Sequence, residues 1–153
     1  MNRFVVAERA LRTAAPHELL DAIRAVLIDQ YGAEDVELFM ADYGLTVLQP
    51  VSVLPHTMEP VSVHNSPAGR AFGSQKPYCE ETRDGRARLH LPVSVRGDRL
   101  GVLSVTLAEA DAARQWESEL AEIADVLGHE VMVAERDTDL YLQARRKDRL
   151  TLA

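Results

Sequence analysis

The sequence predicts an α+β fold: a mostly antiparallel sheet of about five or six strands, flanked by helices and closed by a long C-terminal helix. Three observations predict it. Apolar residues recur at helical spacing toward both ends, at Leu19, Leu20, Ile23, Val26 and Leu27 and again from Trp116 onward. Between them lie short β-rich runs punctuated by turn residues, clearest at 88–95 and 100–107. From about Asp111 to Leu152 no proline interrupts the chain, and a helix of roughly forty residues would reach some 60 Å.

Residues 3–13 predict a short amphipathic helix carrying Phe4, Val5, Ala7 and Leu11. Pro16 suits the first position of a second helix, with Glu18 in its first turn and Gly32 as its stop. Val36–Met40 predicts a strand, Asp42-Tyr43-Gly44 a turn and 45–48 the returning hairpin strand. Gln49 to Asn65, with three prolines and two histidines, predicts an irregular loop. Ser66-Pro67 has the form of an N-cap followed by a first-turn proline, opening a short helix Pro67–Phe72 that ends at Gly73. Gly69 within it marks a close backbone approach. A brief strand follows at Tyr78–Glu81 and a turn at Asp84-Gly85.

The clearest element is the hairpin 88–95 with 100–107. A glycine opening a two-residue loop in Arg96-Gly97-Asp98-Arg99 suits a type II′ turn. That register sets Val95 opposite Leu100, Val93 opposite Val102 and Leu91 opposite Ser104. Both faces carry apolar residues, so both are expected to be covered, which places the hairpin in the sheet interior. Pro92 cannot donate to a ladder. The conflict eases if its neighbour on that side is the short strand near Cys79.

At 153 residues and 46% apolar content, one domain with a real core is expected. The net charge of −7 argues against nucleic acid as a partner. A single cysteine, Cys79, allows no internal disulfide and fits a cytoplasmic location. No apolar run approaches a membrane span, and the first twenty residues lack a signal-peptide pattern.

The order helix, helix, two strands, loop and short helix, three strands, long helix resembles the GAF domain, a small-molecule-sensing relative of the PAS fold. Three stretches carry the resemblance. Ser66-Pro67-Ala68-Gly69-Arg70-Ala71-Phe72 with Gln75-Lys76-Pro77 is similar to the family's small helix and its exit. Leu91 to Leu103 is similar to its central hairpin, in which a glycine opens the second strand. The long terminal helix is the third. The segment Ala144 to Ala153 further resembles the linker by which actinobacterial GAF domains join a SpoIIE-type, metal-dependent serine phosphatase. Such enzymes act on phosphorylated anti-anti-sigma factors in partner-switching circuits. The resemblance therefore implies a single GAF-type domain over 1–153. Residues 111–152 would be its signalling helix, leading to a downstream phosphatase domain that carries the metal-binding aspartates. The chain itself would be non-catalytic.

Trp116, Leu120, Ile123, Leu127, Val131, Ala134, Thr138 and Tyr141 fall close to a heptad seam, with one extra residue between Leu127 and Val131. Val126, Val133 and Leu140 form a second line seven apart. Two apolar lines fit a helix that touches its own sheet and a second copy, with Phe4, Val5 and Leu11 completing a homodimeric bundle. The plainer alternative is one amphipathic helix docked on its own domain. Gly128, in mid-helix, is either a flex point or a close crossing.

Catalytic signatures are missing, as are close-spaced metal ligands: there is no Cys-x-x-Cys or H-E-x-x-H. No cofactor is expected beyond an unidentified small-molecule effector. His17 and His129 fall on helix surfaces. By the resemblance, His56 and His64 lie in a loop that roofs the effector pocket. With Arg70, Tyr78, Cys79 and His90 they are the pocket candidates. Each has a structural alternative: a satisfied histidine, a surface arginine, an inert thiol. Cys79 is followed by Glu80, whereas chromophore-binding GAF domains set a histidine there. GAF-fold methionine sulfoxide reductases need a second cysteine. Four functions follow: a dimeric relay module, a stand-alone sensor of a nucleotide, haem or oxyanion, a GAF-fold enzyme, against whose redox form the lone cysteine argues, and a dimerisation scaffold with a degenerate pocket.

Overall fold

The computed structural model describes residues 2–42, 44–51 and 59–152, with side chains described as far as Ala134. In chain order the elements are α1 (Arg3–Thr13), a 3-10 turn (Pro16–Glu18), α2 (Leu19–Tyr31), β1 (Asp35–Ala41), β2 (Val47–Val51), β3 (Val61–Ser62), α3 (Pro67–Ser74), β4 (Tyr78–Glu81), β5 (Ala87–Val95), β6 (Asp98–Leu107) and α4 (Ala110–Leu152). The strands form one antiparallel sheet in the order β3-β2-β1-β6-β5-β4. This is the predicted α+β class, with the 88–107 hairpin in the sheet interior. Pro92 is tolerated because β4 pairs with β5 only over Ala87–His90 and stops short of it.

Several local expectations are corrected. Pro16 opens a 3-10 turn rather than α2 itself, closed by Glu18 N–H donating to Ala15 O at 2.8 Å. Strand β2 starts at Val47 because the Asp42 carboxylate takes the N–H groups of Thr46 and Val47, at 2.9 and 3.2 Å, and holds the chain in a turn until then. The expected loop from Gln49 contains the end of β2 and all of β3. Helix α3 passes through Gly73 and is capped by Gln75 at φ +56°. Gln75 offsets that left-handed backbone by donating twice, from its main chain to Ala71 O and from its side chain to Phe72 O.

The β5–β6 turn matters most for function. Arg96 and Gly97 both have positive φ, +51° and +86°, the signature of a type I′ turn rather than II′. Val95 therefore pairs with Asp98. A bulge between Val93 and Ser94 then leaves the strand bodies one residue away from the predicted register. Leu91 faces Leu103, and His90 faces Ser104.

Alternation divides the sheet into two faces. Toward α1, α2 and α4 it presents Leu89, Leu91, Val93, Leu103, Val105 and Leu107, all buried. Against them pack Leu11, Ile23 and Leu27, and from α4 Leu120, Ile123 and Leu127, each 0% exposed. Gly128 is a close crossing: a Cβ there would sit 2.9 Å from Ser94 O and 3.1 Å from Val95 Cγ2. The opposite face carries a smaller apolar cluster, in which Phe39, Leu48 and Val102 meet Ala68 and Phe72 of α3.

Candidate effector site

The face that carries α3 is only partly apolar. Across four strands, Glu37, Ser104, His90 and Tyr78 form one row, and Asp35, Thr106, Arg88 and Glu80 form the next. Glu37 accepts from the Arg88 guanidinium. Burial raises the Glu37 carboxyl above its ordinary value, Arg88 opposes this, and the neighbouring Asp35 adds to the rise. His90 is 2% exposed, and its Nδ1 lies 2.7 Å from Ser104 Oγ. Its Nε2 has no hydrogen-bond partner; the nearest carboxylate oxygen, Glu80 Oε1, is 3.5 Å away. Burial and the Arg88 charge push the imidazole below its usual range, and Glu80 only partly offsets them. Ser104, His90 and Glu80 thus stand in the order of a hydrolytic triad, but Ser104 is 1% exposed and no substrate can reach its hydroxyl.

At Tyr78 the first row borders a cleft of about 450 Å³, lined by Val63, His64, Asn65, Ser66, Pro67, Arg70 and Tyr78. The Tyr78 ring stacks on His90, with centroids 6.5 Å apart and planes at 17°. The Arg70 guanidinium lies 4.4 Å from the Tyr78 centroid. The wall formed by the entry to α3 is held tightly. Ser66 Oγ accepts from Gly69 N–H at 2.9 Å and donates to Ser62 O at 2.6 Å. A Cβ on Gly69 would lie 2.2 Å from Val63 O, so only glycine lets α3 seat against β3.

Of the pocket candidates, His64, Arg70 and Tyr78 line the cleft, and His90 lies directly behind Tyr78. His56 lies outside the described residues. Cys79 is a correction. It alternates with Tyr78 and Glu80, so its side chain is on the opposite face, toward α4, where it is exposed at the sheet edge and partial desolvation, Glu117 and Glu81 raise its thiol pKa. The seam is corrected too. Leu120, Ile123 and Leu127 are consumed by the chain's own core, as is Leu11 on α1, so none is available to a second copy. Trp116 makes an edge-on contact with Tyr31 at 5.3 Å and lies under Arg3. Val131 and Ala134 are half-buried against the core, and Tyr141 lies beyond the described side chains. Asn65 and Ser66 in the cleft, and Ser104, Glu37, Arg88 and Glu80 behind it, were not singled out from sequence. The alternation of β4 would have pointed to Glu80. Ser104 needed the correct hairpin register.

No protein-family model matches the sequence, and no curated protein sequence matches it. Solved structures do match. A free methionine-R-sulfoxide reductase from Neisseria meningitidis superposes with a TM-score of 0.73 at 17% identity, covering 88% of this chain and 89% of that one. The GAF domain of an Acinetobacter phosphoenolpyruvate-protein phosphotransferase gives 0.73 at 15%, covering 90% and 95%. The corresponding domain from Coxiella burnetii gives 0.73 at 16%, covering 91% and 98%. At these identities the likeness is one of fold, and the chain has the GAF fold.

Proposed function

We propose that this chain is a regulatory GAF-type module that dimerises and passes an effector-dependent change along its terminal helices to a serine phosphatase controlling an anti-anti-sigma partner-switching pathway. One observation carries the proposal. Among the described side chains, which reach Ala134, fully buried positions on α4 end at Gly128, and the helix itself runs to Leu152, roughly 36 Å beyond Gly128. Such an extension suits a lever between this domain and another. Effector binding would bias two arrangements of the paired helices through its differential affinity for them. The phosphatase assignment rests on the likeness of residues 144–153 to that family's linkers.

The proposed role assigns no reaction to this chain itself. The single thiol, Cys79, is on the face away from the cleft, and disulfide-based reduction needs a second. Among the described residues no group of three metal-ligating side chains is present, and no helix is long and apolar enough to cross a membrane.

The test is a phase experiment on the full-length protein. Its reading frame should carry aspartate-bearing phosphatase motifs beyond Ala153. One residue inserted after Ala134 rotates all that follows by about 100°, whereas a seven-residue insertion nearly restores the phase. The first should change phosphatase activity severalfold and the second should not. A histidine kinase or helix-turn-helix downstream, or indifference to both insertions, would overturn the relay. A second function, a small-molecule sensor acting without a phosphatase, is favoured by the cleft itself.

A further inference from the structure

We infer that the cleft between β4 and the entry to α3 takes a small organic anion, a carboxylate or phosphomonoester with a short apolar body, gripped by Arg70. The inference rests on the effector-module proposal and specifies the chemistry of its ligand.

The charge pattern is the first argument. The chain carries a net charge of −7, yet among the described residues the cleft wall holds Arg70 and His64 and no carboxylate. Arg12, Arg86, Arg88 and Arg114 each lie within 4 Å of an acidic side chain. Arg9, Arg83, Arg96 and Arg99 share with Arg70 the lack of an acidic partner among the described residues, but of these five only Arg70 is held over an aromatic ring, that of Tyr78 in the cleft wall. No hydrogen bond or ion pair from the Arg70 guanidinium N–H groups is present among the described residues, and a guanidinium offers the fork geometry that suits a carboxylate or phosphate. The wall is also preorganised: Ser66 is committed on both sides of its hydroxyl, and Gly69 sets α3 against Val63. Asn65 adds a neutral polar group, and the first turn of α3 adds partial positive charge. Val63 and Pro67 supply the apolar surface against which a ligand body would lie. The volume is in the range of metabolite sites.

The experiment is an amide and aromatic NMR titration of the intact chain at constant ionic strength. The probes are inorganic phosphate, glycerol 3-phosphate, pyruvate and, as a cation of similar size, choline. Saturable shifts are expected at Asn65–Gly69 and the Tyr78 ring with the anions and not with choline. The tighter of glycerol 3-phosphate and pyruvate identifies the head group. Arg70→Gln should weaken binding by at least about tenfold, and Arg70→Lys should keep part of it. An unchanged spectrum elsewhere shows that the variants remain folded. No saturation by about 10 mM probe, equal binding by Arg70→Gln, or equal binding of choline would each overturn the inference. If the insertion phasing holds but no anion binds, only this inference falls; if both fail, the module proposal falls with it.

Discussion

His90 sits where the polar row and the cleft meet, and its protonation is tied to the stability of the fold. The ring is held by Ser104, stacked under Tyr78, and placed near both Arg88 and Glu80. Its pKa in the folded chain lies below the usual value of 6.5, so the unfolded chain takes up the proton first as pH falls. The stability contributed by neutral His90 is therefore complete above about pH 6.5 and is lost as pH drops through that value toward the folded pKa. Glu37 has the opposite sign. Its raised pKa makes the folded chain bind a proton earlier, so its contribution grows as pH falls. Comparing the wild type with His90→Gln at each pH separates the two. Urea titrations from pH 7.5 to 5.5 should show the wild type losing stability relative to the variant, and parallel curves would contradict this. In sequence His64, Arg70, Tyr78 and His90 were legible as site candidates, but the side of the sheet a residue takes was not always legible. Tyr78 and Cys79 could be split by alternation alone. The partner of His90 could not, because it depended on Arg96 adopting a left-handed conformation that glycine more often supplies.

At the scale of elements, the contact between α4 and β5 couples the helix to the strand that carries His90. Gly128 makes it possible, and its substitution sets two effects against each other. Alanine gains about 1 kcal/mol of helix propensity. Its Cβ would press on Ser94 O, Val95 and Val93, and overpacking of this kind costs about 1–3 kcal/mol. Because one of the three neighbours is backbone, the clash should win. Gly128→Ala is expected to lower the unfolding free energy by about 1 kcal/mol, read from the denaturation midpoint, and a gain would show that α4 can slide. Helices and the central hairpin were legible because their apolar periods are long and strongly marked. The β2 start, β3 and the α3 cap were not. They are set by an Asp42 carboxylate, a two-residue pairing and a left-handed Gln75, none of which leaves a periodic trace.

For the molecule as a whole, the length of α4 was plain in the sequence, but the use of its apolar stripe was not. A periodic stripe looks the same whether it faces its own sheet or a second chain. The structure resolves this for Trp116 to Leu127, which serve the chain's own core. Farther on, Val133 is 38% exposed, as on α1 is Val5 at 37%. Dimerisation is thus expected to depend on the helix from about Val131 onward. Ending the chain after Ala134 should leave the fold and its thermal transition nearly intact while weakening self-association by at least about tenfold, visible as a shifted concentration dependence. The most direct measurement is sedimentation equilibrium of the intact chain across the micromolar range. A mass twice the 17.0 kDa of one chain, falling toward one chain after removal of the segment beyond Ala134, is the predicted result. A mass of 17.0 kDa at every concentration would contradict a paired lever.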